Sequence, residues 1–193
     1  GSSALTAGRY HYDFTMAFDR KVPLLPVFVW FYILAFPFWA VGYLLAARRG
    51  KDMFYRFVAT DLTIHFICFI CFILIPTTNI RPEIPGNTLS EKILALVYSL
   101  DGGNSPSNLF PSIHCYVSWM CWKGVEGSEK VPKWYQRFSL VFAILIIIST
   151  QVLKQHYIVD AAAALLLVEF FWRFYQKGQR HKWVVHVFAH KKK

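Results

Sequence analysis

Apolar residues in this chain come in long blocks rather than in a periodic stripe. Residues 62–76 (LTIHFICFICFILIP) and 138–148 (FSLVFAILIII) are near-continuous, and several runs approach the roughly 20 residues a helix needs to cross a bilayer. A chain built this way has few folding options. In lipid every backbone N–H and C=O must be satisfied internally, which leaves helices or closed barrels. The runs have helical length, so the expected fold is all-α: a polytopic transmembrane helical bundle of about five spans plus short interfacial helices. At 55% hydrophobic and 18% aromatic residues, the 193-residue chain is too oily for an ordinary soluble domain.

The spans are expected at about 22–47, 54–76, 112–125, 134–153 and 156–175, the third being short for a crossing. They form one transmembrane catalytic domain, 22–175, between an N-terminal interfacial segment, 1–21, and a basic C-terminal tail, 176–193. The opening GSS, residues 1–3, reads as a tag remnant, and the first apolar run is too long for a signal peptide. Between the second and third spans runs a long polar excursion. Within it Thr88 and Glu91 have capping-box spacing ahead of ILALVYSL, which predicts a short helix ended by DGGNSPSN. Tyr10, Phe14, Met16 and Phe18 suit an interfacial helix near the N-terminus.

The net charge of +10 raises nucleic acid as a partner. The distribution of that charge argues against it, because the cations sit in short connections beside apolar runs and in the tail, as membrane topology requires. Arg48, Arg49, Lys51 and Arg56 crowd the first connection, and Lys123, Lys130, Lys133 and Arg137 the third. Lys177, Arg180, Lys182 and Lys191 to Lys193 fill the tail, whereas the long excursion sets only Arg81 and Lys92 against Glu83, Glu91 and Asp101. The first and third connections and the tail are therefore expected in the cytoplasm and the excursion outside. Arg20 and Lys21 point the other way and are outvoted. The expected setting is a plasma membrane of bacterial type with membrane lipids as partners.

This topology puts Arg81, His114, Lys154, His156 and Asp160 on one membrane face. Ionisable residues near a bilayer are costly and are functional candidates by default. His156 and Asp160 are four apart, so on a helix they share a face. A carboxylate on one imidazole nitrogen fixes the tautomer and leaves the other free to attack. His114 suits protonation of a leaving oxygen. Arg81, Lys154 and a helix start at Ser112 suit an oxyanion with several negative oxygens. Taken singly, each has a plainer reading: Lys154 as a snorkelling side chain, Tyr157 as part of an aromatic belt. Together they suit phosphoryl transfer.

FPSIH (110–114) and STQVLKQHYIVD (149–160) resemble the second and third motifs, PSGH and SR-x5-H-x3-D, of the type 2 phosphatidic acid phosphatase superfamily. Arg81-Pro82 resembles the end of the first motif, K-x6-RP. The resemblance implies that His156 is the nucleophile, Asp160 its orienter and His114 the acid and later the base. It places Arg81, Ser112 and Ser149 in or near the phosphate pocket and implies no metal and no cofactor. The expected activity is hydrolysis of a lipid phosphate or diphosphate through a phosphohistidine. Leu74, Thr150 and Ile113 depart from the motifs, and two family cations are lost with them. Lys154 is the expected partial replacement, although it lacks the guanidinium fork. The pattern D-x6-N-x-FPSIH, with Asp101 and Asn108, also resembles relatives that transfer phospho-alcohol head groups between lipids, and the lost cations leave a non-catalytic membrane protein or transporter as a third reading.

Other polar residues have milder explanations. Cys68 and Cys71, three residues beyond His65, form a C-x-x-C that reads as small membrane-helix residues before a metal or redox site. Asp61 with His65, and Glu169 with Arg173, have i,i+4 spacing and read as buried structural pairs. The tail is expected to form an interfacial helix drawn to anionic lipid.

Overall fold

The computed structural model describes residues 6, 8–102 and 106–189. Residues 1–3 and Lys191 to Lys193, to which the sequence assigns a tag and a polybasic end, lie outside that range. A two-residue strand, β1 (Tyr12–Asp13), and a short helix, α1 (Ala17–Lys21), precede a 3-10 turn (Pro26–Phe28) that runs into α2 (Val29–Ala47). Then come α3 (Lys51–Leu74), strand β2 (Thr77–Thr78), α4 (Leu89–Leu100), α5 (Ile113–Val125), α6 (Lys133–Val152), α7 (Ile158–Gln176) and α8 (Lys182–Ala189).

Three helices among the described residues are long and apolar enough to cross a membrane: α2 with its leading turn (Pro26–Ala47), α3 and α6. Away from the charged residues near the starts of α3 and α6 and from His65, their exposed residues are apolar, including Leu34 and Leu44 on α2, Phe66 and Leu74 on α3, and Val141 and Ile144 on α6. A water-soluble bundle would show the reverse pattern. The other two expected spans differ from these. Helix α7 carries Asp160, Glu169 and Arg173, and α5 has only 13 residues.

Helix α5, bounded by the Ser112 cap and by the turn at Glu126 and Gly127, is the centre of the bundle. It packs against α2, α3, α6 and α7, and Cys115, Tyr116, Met120, Cys121 and Val125 along it are fully buried. Small residues let the backbones approach closely, the usual device of helices in lipid. A Cβ on Gly42 would lie 2.6 Å from Cys121 Sγ, and one on Gly124 would lie 2.9 Å from the Phe57 ring.

The N-terminal segment departs from expectation. It straps across the end of the bundle, and β1 pairs in parallel with β2, Tyr12 opposite Thr77 and Asp13 opposite Thr78. Helix α1 is only five residues long. The first long helix begins at Val29 instead of 22, since Pro23 and Pro26 hold the approach extended and then turned. Leu25 N–H donates to the Val152 carbonyl at 3.0 Å, pinning the strap to the end of α6.

Helix α4 forms where the capping box predicts it. Glu91 N–H donates to Thr88 Oγ1 at 3.2 Å, and Thr88 N–H donates to Glu91 Oε2 at 3.0 Å. It buries Leu94 and Tyr98 and exposes Leu89, Leu96 and Leu100, so its second face is apolar too.

Asp61 and His65 do not pair. The Tyr43 hydroxyl donates to Asp61 Oδ1 at 2.7 Å, while His65 Nδ1 meets the Tyr116 hydroxyl. Partners on α2 and α5 outcompete the neighbour one turn away. Glu169 keeps Arg173 at 3.4 Å but is held more closely by Lys123 Nζ at 3.0 Å and Trp119 Nε1 at 2.9 Å. Cys68 packs in the core, and its neighbour His65 is engaged by Tyr116.

Candidate active site

The turn between α6 and α7 winds around one carbonyl. Gln155 N–H and His156 N–H both donate to Thr150 O, at 2.9 and 3.0 Å, and Lys154 takes a left-handed conformation, φ 53°, to let the chain reverse. His156 thus stands on the turn and not, as its spacing to Asp160 suggests, on a shared helix. Asp160 still reaches it. Tyr157 is the extended residue that starts α7, and its N–H donates to Asp160 Oδ2 at 2.9 Å. The same oxygen lies 3.5 Å from His156 Nδ1. That nitrogen is buried without a hydrogen-bond partner, so the carboxylate acts on the ring by charge at this separation rather than through a formed bond.

His114 enters from the first turn of α5. Ser112 caps that helix, its hydroxyl accepting from Cys115 N–H at 3.3 Å, and Ser112 N–H donates to the Asp160 carbonyl at 3.3 Å. The starts of α5 and α7 are thereby tied together. The His114 ring stacks on Tyr32 at 4.3 Å and lies 5.0 Å from Trp39. Its Nε2 is buried without a hydrogen-bond partner, and its centroid is 6.2 Å from that of His156.

Both histidines line one cavity of about 670 Å³. Asp101, Ser107 and Asn108 add polar groups, and Tyr32, Phe36, Trp39, Phe72 and Leu100 supply an apolar wall. The volume is that of a ligand pocket, with a few polar groups against an aromatic surface.

Arg81 is buried behind Asp101. Its Nη2 donates to Asp101 Oδ2 at 2.6 Å and to Gln155 Oε1, and its Nη1 donates to the carbonyls of Asp101 at 3.1 Å and Tyr98 at 3.3 Å. The guanidinium also lies 4.6 Å from the centroid of the Tyr98 ring. Burial pushes the Tyr98 hydroxyl up to about 12, and it donates to the Leu153 carbonyl at 2.7 Å.

Three of the sequence candidates lie elsewhere. Lys154 Nζ donates to the carbonyls of Asp19 and Val22, and partial burial lowers its pKa against the opposing charge of Asp19. With Tyr157 it lines a second cavity of about 460 Å³, which Asp13, Asp19 and Arg81 also border. Ser149 Oγ donates to the Ile146 carbonyl at 2.6 Å inside the buried face of α6. Thr150, where the motif carries arginine, is buried, and Leu74, where it carries lysine, is exposed at the end of α3. Ile113 lines the cavity.

Three residues here escape sequence reasoning. Gln155 touches Arg81, Tyr32 supports His114, and the buried Asp19 accepts from Ile158 N–H through Oδ1 at 2.9 Å, capping α7 from the far end of the chain. Only Gln155, beside His156, carried any signal.

A family model described as the PAP2 superfamily matches residues 10–173. The chain belongs to the PAP2 superfamily. No curated protein and no solved structure matches it. The superfamily match takes in Arg81, Asp101, Asn108, Ser112, His114, His156 and Asp160 and also most of the N-terminal strap, leaving out residues 1–9 and the stretch from 174 onward. Membership of the PAP2 superfamily supports a phosphatase-type activity, and the three long apolar helices fit a membrane protein.

Proposed function

We propose that this protein hydrolyses a lipid phosphate or diphosphate through a phosphohistidine on His156. The observation that carries the reading is the pair of imidazoles 6.2 Å apart on one cavity, each with a buried nitrogen that has no hydrogen-bond partner. Buried polar atoms are normally satisfied, and those that are not call for a reason such as a catalytic role. A phosphoryl group on the cavity supplies one for His114 Nε2, whereas His156 Nδ1 faces Asp160 Oδ2 at 3.5 Å and leaves Nε2 as the nucleophile.

In this scheme the neutral His156 Nε2 attacks phosphorus, and the bond to the leaving lipid oxygen breaks. His114, protonated when substrate binds, gives its proton to that oxygen. Asp160 stabilises the positive charge that forms on His156. His114 then takes a proton from water, whose oxygen attacks phosphorus and breaks the P–N bond, releasing inorganic phosphate. Arg81, buried behind Asp101, contributes positive charge from a distance and orients Asp101 and Gln155, and most of the rate comes from positioning and electrostatics. The aromatic wall and the exposed Leu100 suit a hydrocarbon tail beside the headgroup. Helices α5 and α7 serve as the remaining two spans, and the site faces outward, away from the basic connections.

A second reading, head-group transfer to another lipid's hydroxyl, is favoured by one observation. Asp101 and Asn108, the residues resembling transferase relatives, both line the cavity. The chemistry is the same with an alcohol in place of water. Purified protein incubated with lipid phosphates, diphosphates and phosphodiesters separates the readings: free phosphate supports hydrolysis, a transferred head group supports transfer, and neither product from any substrate rejects both.

A further inference from the structure

At the opposite end of the bundle from His114 and His156, the last turns of α7 carry a cleft of about 380 Å³. Arg173, Lys177 and Arg180 line it with Leu166, Phe170 and Phe174. Its one carboxylate among the described residues, Glu169, is shared between Lys123 Nζ at 3.0 Å on its other side and Arg173 Nη2 at 3.4 Å, so one negative charge faces four cations. The cleft therefore carries excess positive charge.

These cations are not needed to finish the helix. The last carbonyls of α7, at Tyr175 and Gln176, accept from Arg56 Nη1 at 2.8 and 2.7 Å. Arg180 is instead laid over the Phe174 ring, 4.2 Å from its centroid, which presents the guanidinium toward the cleft. Arg173 is 77% exposed at the side chain. Toward the bundle's middle the same face of α7 turns apolar, with Leu166 71% and Phe170 63% exposed. Leu166 to Lys177 spans about 16 Å at about 1.5 Å per residue. Cationic groups thus sit at one end of a strip, with an apolar surface leading away from them.

We propose that this cleft binds an anionic phospholipid of the surrounding bilayer. The phosphodiester sits among Arg173, Lys177 and Arg180, and an acyl chain lies along Phe170 and Leu166. Guanidinium groups match phosphate oxygens in geometry as well as charge. Basic side chains near a membrane surface are drawn to anionic lipid. The site is separate from the proposed active site and does not depend on it.

Native mass spectrometry of full-length protein tests this, with the His156→Ala variant as background so that active-site binding is held constant. The protein is extracted from a four-to-one mixture of phosphatidylcholine and phosphatidylglycerol. Phosphatidylglycerol retained by it should fall by one molecule, or about tenfold or more in affinity, in the combined Arg173→Gln, Lys177→Gln, Arg180→Gln variant. The charge-conserving Arg173→Lys, Arg180→Lys variant should keep most of the retention, as should Arg48→Gln, Lys51→Gln outside the cleft. Equal retention in the triple-Gln variant and its parent overturns the proposal. Equal retention of phosphatidylcholine, or displacement by millimolar inorganic phosphate, also overturns it. A thermal midpoint in pure phosphatidylcholine unchanged by the triple substitution separates lost binding from lost folding.

Discussion

Lys154 Nζ lies 2.8 Å from the carbonyl oxygen of Asp19, and the Asp19 carboxylate in turn accepts from Ile158 N–H at 2.9 Å. Each residue thus holds the other's segment: the lysine ties down the strap, and the strap caps the helix that follows His156. We expect Lys154→Ala to lower stability by about 1.5–3 kcal/mol, the worth of a charged hydrogen bond, and to leave vanadate affinity near that of the parent. A vanadate Kd weakened tenfold at unchanged thermal midpoint would return Lys154 to the phosphate pocket.

His156→Ala should abolish turnover. His114→Ala should retain slow turnover, about 10²–10⁴-fold down, because it removes a proton donor and leaves the nucleophile in place. Rapid quenching of His156-intact protein with radiolabelled substrate should trap acid-labile label, and His114→Ala should accumulate more of it than the parent if loss of the base slows release most. Full activity in either variant rejects the assignment.

Asp101 Oδ2 sits 2.6 Å from Arg81 Nη2 and lines the cavity where a phosphate would come to rest. An anion there repels an incoming phosphate while orienting the guanidinium. Asp101→Asn keeps an acceptor and removes the charge, so vanadate should bind about three- to tenfold more tightly, about 1 kcal/mol. Arg81→Gln should weaken it by at least as much. Weaker binding in Asp101→Asn would make orientation of Arg81 the dominant role of that carboxylate.

The close approach of α2 to α5 rests on Gly42, where an added Cβ would meet Cys121 Sγ at 2.6 Å and the Cys121 Cβ at 2.7 Å. Gly42→Ala should cost about 1–3 kcal/mol from overpacking. Adding Cys121→Ala should recover part of that loss, since it removes the Sγ but leaves the Cβ. Thermal unfolding of the single and double variants measures the coupling, and strict additivity would mean that the two positions do not touch.

Much of the architecture was legible in the sequence because lipid leaves so few choices for a chain with apolar blocks of this length. The long helices α2, α3 and α6, and the capping box that starts α4, follow from local composition and spacing. That His114, His156 and Asp160 would stand near one another was legible from the resemblance of their segments to family motifs, and the three do meet at one place. Where Lys154 points, however, depends on a strap more than a hundred residues away, and no local pattern encodes that. The same holds for Gln155 against Arg81, Tyr43 against Asp61, and Tyr32 under His114. A side chain's partner is settled by competition among everything within reach once the helices pack, and sequence spacing describes only its neighbours along the chain.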